Sequence, residues 1–299
     1  MFLVMQQVLL LVLFGVAGYL LCRTGKVKSE HTKILSSLHV YVFLPCTVIN
    51  TYAANFTVAY IREKYPLLIA SVIIIVLTIG FGTVFSKFLT KHPYQRAVYS
   101  YSLSFSNYGF FGYPLVESLF GSLALQNAMI FALPISLCTN TFGYSSLTKT
   151  KFSLKHVFTP VIWATVIGAV VGLTGFALPG VVASFVNKSA ACMAPVGMLL
   201  AGMVVSEFDF LSLLKGKNNY LIAALRLLVI PCVIGFSLKL LGLNSLVLTA
   251  VMMHAMPCGM NTIVFPRLVG EDCRAGASMT LITSLLAVLT IPFCVMLFS

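Results

Sequence analysis

The stretch Ser106-Asn107-Tyr108-Gly109-Phe110-Phe111-Gly112-Tyr113-Pro114 decides how this chain is read, together with a second one, Pro257-Cys258-Gly259-Met260-Asn261-Thr262-Ile263-Val264-Phe265-Pro266. Each lies in an apolar run long enough to cross a bilayer. Each carries Asn, Gly and Pro near its middle, where a plain lipid anchor carries Leu. They fall about 150 residues apart, in equivalent places of the two halves. Paired, interrupted spans in corresponding positions of two halves point to the binding site of a secondary transporter.

The composition sets the same frame. Of 299 residues, 59% are hydrophobic and 9% charged, whereas a soluble domain carries roughly 25% charged residues. No soluble fold of this size has enough interior for that much apolar surface, so the chain reads as a polytopic membrane protein with no separate soluble domain. Its net charge of +12 is explained by topology and calls for no nucleic acid. The first apolar run has no basic residues before it, so it is expected to be a span and not a cleaved signal. The eight cysteines are scattered singly and read as small apolar side chains. No metal-ligand cluster, phosphate loop or catalytic triad order is present, so neither a cofactor nor an enzyme activity is expected.

Ten spans are expected, roughly at 3–21, 34–54, 66–86, 97–119, 124–146, 157–178, 186–206, 219–241, 246–268 and 275–298. Each has the length a helix needs to cross ~30 Å of hydrocarbon. Unbroken apolar runs without period-2 alternation exclude a β-barrel. Fourteen of the 19 basic residues fall in odd-numbered loops and four in even-numbered loops, with Arg226 inside a span. That bias places the odd loops in the cytoplasm and both termini outside. Five spans per half then make the second half an inverted copy of the first, 1–150 against 151–299. Pro45 with Pro195, Pro114 with Pro266 and Pro134 with Pro292 follow in matching order. The basic loop from Ser146 to Lys155 joins the halves.

The interrupted spans carry the candidate chemistry. Pro inside a helix removes a hydrogen bond, and Gly109 and Gly112 let the backbone leave helical geometry. The freed groups must face protein or a wet cavity. A half-helix that starts after the break aims its N–H groups and about half a positive charge at that cavity. Asn107 in the fourth span and Asn261 in the ninth, beside Gly259, Pro257 and Pro266, add amide side chains. If the breaks meet, the pocket suits an anion; the plainer alternative is that each Pro is a structural kink. Asn50 and Asn140 face protein or cavity, as interhelical contacts or as site groups. Arg226 needs a partner or a role: it attracts a carboxylate substrate, snorkels, or pairs with Glu207 or Asp209. His254 is either a proton-coupling group or a satisfied interfacial residue. Glu117 is either a proton or sodium site or a loop anchor.

Two groups of residues resemble the auxin efflux carrier family, in particular its short bacterial members. They are Phe105 through Leu115, and His254-Ala255-Met256-Pro257 through Asn261 and Pro266. Phe43-Leu44-Pro45 and Ala194-Pro195-Val196-Gly197 extend the likeness. The resemblance implies an all-α membrane protein of ten transmembrane helices in two inverted five-helix repeats. Spans 1, 2, 6 and 7 would form a scaffold. Spans 3–5 and 8–10 would form a transport domain, with broken spans 4 and 9 crossing at prolines. It further implies binding of a substrate carboxylate beside the crossing by Asn107 and Asn261, with Asn140 a weaker match, and elevator-type movement. The implied substrates are small organic anions such as malate, malonate or auxin-like acids. A homodimer through the scaffold and a plasma or bacterial inner membrane location follow from the same likeness. The long cytoplasmic loop of the plant carriers is missing here. A ligand-sensing membrane protein of the same fold, acting through a partner, is the alternative.

Overall fold

The structure is a computed structural model and describes residues 2–28, 31–150, 160–269 and 271–299. Lys151, Lys155 and the first residues of the expected 157–178 span lie outside the described residues. The described chain is helical throughout: α1 (Phe2–Arg23), α2 (Thr32–Leu38), α3 (Leu44–Asn55), α4 (Val58–Leu89), α5 (Pro93–Ser104), α6 (Tyr113–Cys138), α7 (Tyr144–Thr148), α8 (Pro160–Thr174), α9 (Gly180–Ala191), α10 (Met193–Val205), α11 (Phe210–Leu213), α12 (Lys217–Ala224), α13 (Ile230–Leu240), α14 (Asn244–Ala255), α15 (Asn261–Leu268) and α16 (Arg274–Phe298). Its β pairing among the described residues is one isolated antiparallel bridge, Ser106 with Cys258.

Among the described residues, seven stretches are long and apolar enough to cross a membrane: Val4–Arg23, Thr32–Ala54, Val58–Leu89, Tyr108–Thr148, Gly180–Val205, Lys217–Leu240 and Arg274–Phe298. The difference from the ten expected spans has a physical cause. The fourth and ninth are broken near the middle, so α5, α14 and α15 are each too short alone, and the described part of the sixth is only Pro160–Thr174. The third is longer than expected. The charged run Arg62-Glu63-Lys64 continues α4 and is not a loop, and Pro66 is accommodated inside that helix. The second half of the fourth span and the fifth span form one helical run that turns at Gly121, whose φ of +82° suits a residue without a Cβ.

Among the described residues, four wide π turns interrupt the helices, at His39–Phe43, Tyr108–Gly112, Thr139–Gly143 and Leu225–Val229. Three of them are followed, two residues on, by a proline: Pro45, Pro114 and Pro231. A proline ring clashes with the carbonyl four residues before it. Here those carbonyls belong to Tyr41, Phe110 and Leu227, each inside a widened turn. The bonds skip five residues instead of four: Leu44 N–H to His39 O, Gly112 N–H to Asn107 O at 3.0 Å, and Ile230 N–H to Leu225 O. A widened turn keeps the helix going past a proline.

Glycines set the closest helix contacts. A Cβ on Gly202 of α10 would run into the carbonyl of Gly15 on α1, and one on Gly18 into that of Leu199. Gly168 and Gly172 of α8 also leave no room for a Cβ, against Ile49, Tyr52 and Phe56, along α3 and just past its end. In lipid, where apolar contact alone brings no gain, such small residues permit the backbone approach that holds helices together. Elsewhere α4 packs on α5 and α6, α13 on α14, and α14 on α6 and α16. Phe88, Val181 and Leu240 stand almost fully exposed, which fits contact with lipid tails. Gly202→Val is expected to destabilise the detergent-solubilised protein by about 1–3 kcal/mol or more through overpacking. Gly80→Ala, in open space inside α4, should leave the melt no lower than the parent's. An unshifted melt for Gly202→Val would show that α1 and α10 do not meet at this residue.

Candidate functional site

The two interrupted stretches come together. The helix of α5 ends at Ser104, and Phe105 continues in extended geometry. The opposite chain leaves α14 at Ala255 and extends through Met256. The extended pieces run antiparallel, and the Asn107 amide donates to the Pro257 carbonyl at 2.8 Å. Side chains tie the crossing from both directions. Ser106 Oγ donates to Met253 O at 2.6 Å, Ser102 Oγ lies 3.0 Å from Cys258 Sγ, and the Cys258 amide donates to Thr283 Oγ1 at 3.0 Å.

The breaks do not sit at the expected residues. In the first, the chain leaves the helix at Phe105–Asn107, before the motif's glycines and proline. Gly109 and Gly112 lie in a resumed helical turn, and Pro114 follows two residues past it, inside a helix that the widened turn carries on into α6. Gly112 is needed for closeness, because a Cβ there would stand 3.2 Å from Met256 Cγ across the crossing; Gly109 faces open space. In the second, Pro257 is in the extended piece, while Pro266 lies inside α15. The helices therefore cross at Ser106 and Cys258, not at Pro114 and Pro266. The physical reason is that a widened turn absorbs Pro114 without unwinding the chain.

Asn107 is 4% exposed and caps the resumed helix, its Oδ1 accepting from the Phe110 amide at 3.3 Å. Asn261 opens α15 and donates through Nδ2 to Tyr101 Oη at 3.1 Å. Both amides thus stand at helix N-termini beside the crossing. Asn140 is placed differently: its Nδ2 bonds Ser136 O of its own helix at 2.9 Å. His254 is buried, with Nδ1 3.0 Å from Ala250 O and its ring edge-on to Phe131, the arrangement of a packed interfacial residue. Glu117 is exposed, away from the crossing.

Arg226 corrects its expected pairings. Glu207 holds Arg267 instead, through both carboxylate oxygens, and Asp209 caps the short α11. Arg226 is fully buried in the fourth π turn and binds one carbonyl from each broken span: Nε to Met256 O at 3.4 Å and Nη1 to Leu103 O at 3.3 Å. Those carbonyls mark the C-terminal, negative ends of α14 and α5. Its Nη2 is buried without a partner.

Sequence reading missed Ser102, Tyr101, Ser106, Cys258 and Thr283 as members of this cluster. A signal was there: α5 reads Tyr99-Ser100-Tyr101-Ser102-Leu103-Ser104, far too polar for a lipid-facing half-span. It also missed His39, buried and stacked on Phe110 with ring centres 4.0 Å apart. Among the described residues no group of three or more His, Cys, Asp or Glu is arranged to hold a metal.

Comparison with known proteins gives a consistent picture. The family model described as "Membrane transport protein" matches residues 3–149 and 144–295. An uncharacterised transporter of Methanocaldococcus jannaschii is 25% identical over 307 aligned residues, covering 96% of each chain. An uncharacterised transporter of Methanothermobacter thermautotrophicus is 27% identical over 195 residues, covering 62% of this chain and 63% of its own.

The Ser106 bond gives the crossing a direct test. Ser106→Ala leaves the buried Met253 carbonyl unpaired and is expected to cost ~1–3 kcal/mol in thermal or denaturant unfolding. Ser118→Ala, on an exposed hydroxyl bonded within its own helix, is expected to stay within about 0.5 kcal/mol of the parent. Equal effects would remove the Ser106 contact from the crossing.

Proposed function

The chain belongs to the membrane transport protein family, the auxin efflux carrier-like transporters, and from that premise we propose that it carries small organic anions, such as malate, malonate or auxin-like acids, through the crossing. It is a multi-pass membrane protein, and the family's work is transport rather than catalysis. The observation that carries the substrate class is the placing of charge around the crossing. Two helix N-termini, capped or opened by Asn107 and Asn261, present donors there. The negative C-terminal ends of α5 and α14 are covered by Arg226, a buried cation with no carboxylate beside it among the described residues. Positive helix ends are left to meet an anion and negative ones are withheld. Tyr101 orients the Asn261 amide by accepting from it beside the crossing.

In this reading the halves 1–150 and 151–299 are ten spans arranged as inverted repeats. Reciprocal packing supports it: α1 lies on α10 while α3 lies on α8, and α4 lies on α5 while α13 lies on α14. Exchanging the halves maps each pair onto its counterpart. The glycine-tight pairs α1–α10 and α3–α8 make a rigid scaffold, and a dimer would form through it. The remaining helices make the moving block, an elevator that carries the crossing from one side to the other. Asn107 is nearly inaccessible in this conformation, so loading requires such a movement. The membrane is the plasma or bacterial inner membrane, with both termini outside. A monovalent anion leaving the cell gains ~2.3 kcal/mol per 100 mV, so export runs as uniport. His254 and Glu117, packed into an interface and exposed respectively, are poorly placed to couple a cation.

A thermal-shift screen of dicarboxylates, keto acids and indole acids tests the site. A ligand that stabilises the parent should lose most of its shift in Asn107→Ala and in Asn261→Ala, and a shift unchanged in both variants would place the site elsewhere. Uptake of that ligand into liposomes should follow an imposed membrane potential and persist without proton or sodium gradients. Uptake that ignores voltage but stops without a cation gradient would sink uniport.

A further inference from the structure

A cationic cavity lies where the C-terminal end of α4 meets the N-terminal end of α5 and the end of α7. It measures about 310 Å³ and is lined by Lys87, Arg96 and Lys149, with the hydroxyls of Ser86, Ser100 and Ser146. That volume is at the small end of the ~300–1,000 Å³ typical of ligand pockets. The charges around it are poorly balanced. Lys149 meets Glu271 at 2.7 Å. Among the described residues neither Lys87 nor Arg96 has a carboxylate within ion-pair reach. Arg96 gives Nη2 to the Thr90 carbonyl at 3.4 Å, while its Nε is buried and unpartnered. α5 starts at Pro93, beside the same cavity, and its N-terminal end adds to the positive field.

A buried guanidinium N–H without an acceptor costs free energy, as does gathering like charges. Both costs are relieved by an anion. The donors come from three helices and not from one plane, which suits a tetrahedral oxyanion better than a flat carboxylate, and Arg96 retains the N–H geometry that recognises phosphate. The cavity is also at the edge of the lipid-facing surface, since Phe88, next to Lys87, is 81% exposed. Basic pockets between membrane helices on the side where Lys and Arg gather hold phosphate headgroups. We propose that this cavity binds a phosphate oxyanion, carried on the headgroup of an anionic lipid or on a free phosphate. The site is independent of the crossing and requires nothing of the transported substrate.

The test uses the full chain in nanodiscs, with unfolding temperature as readout and two probes. One probe is phosphatidylglycerol replacing part of the phosphatidylcholine. The other is inorganic phosphate against chloride at matched ionic strength. At least one probe should stabilise the parent in a saturable way, and the Lys87→Gln/Arg96→Gln double variant should need roughly tenfold more of it. A response to the lipid alone assigns the headgroup, and a response to inorganic phosphate assigns the free oxyanion. No stabilisation by either probe, or a double variant that responds as the parent does, overturns the proposal. If the double variant does not fold, Lys87→Gln alone, at an exposed side chain, gives the same reading through a weakened response.

Discussion

A backbone amide in the middle of a bilayer has no water to turn to, and each unsatisfied one costs several kcal/mol. Every interruption of a helix in this chain has to be closed by another part of the same chain. The structure meets that constraint by pairing one interruption with another. The Asn107 amide is satisfied by Pro257, the Cys258 amide by Thr283, and the Met253, Met256 and Leu103 carbonyls by Ser106 and Arg226. Neither break is viable alone. The fixed places of α5, α14, α16 and the fourth π turn follow from this mutual need, because each supplies a group that another lacks.

The same constraint explains what could and could not be read from the sequence. The all-helical membrane class was legible from composition, and the two break regions from Asn, Gly and Pro in apolar runs. That they meet was left open by the residues themselves, since each Pro could equally be a structural kink, and was implied only by the family resemblance; the bond from the Asn107 amide to the Pro257 carbonyl decides it. The exact residue of each break was misread. Proline was taken as the point of rupture, but a π turn lets the helix pass Pro114, and the rupture falls at Phe105–Asn107, where Asn107, the cap of the resumed helix, is the marker. Arg226 was legible as a residue needing a role, yet its partners are backbone carbonyls, and sequence does not show where carbonyls point. Glu207 was a reasonable partner by distance along the chain; Arg267 reached it first in space. Asn140 shows the opposite limit. An amide in a span has several ways to be satisfied, and its own helix supplies one through Ser136.

Arg226 also sets how charge is distributed in the molecule. The guanidinium stays protonated in proteins, and placing it inside a membrane span is costly, up to ~2.5–3.5 kcal/mol at a helix centre on insertion scales. A carboxylate partner would have reduced that cost and cancelled the field at the crossing. Two carbonyls at helix C-termini reduce the cost differently: they carry only fractional negative charge, so the arginine is solvated but not neutralised. The chain can afford an acid elsewhere, since Arg267 takes both oxygens of Glu207 near the surface. At the crossing it uses none. A residual positive charge is thereby kept where Asn107 and Asn261 present their amides. Under the anion-carrier reading that charge does two things at once. It holds the crossing together through Leu103 and Met256, and it lowers the cost of bringing a carboxylate into a place that lipid and packed helices otherwise deny to any anion.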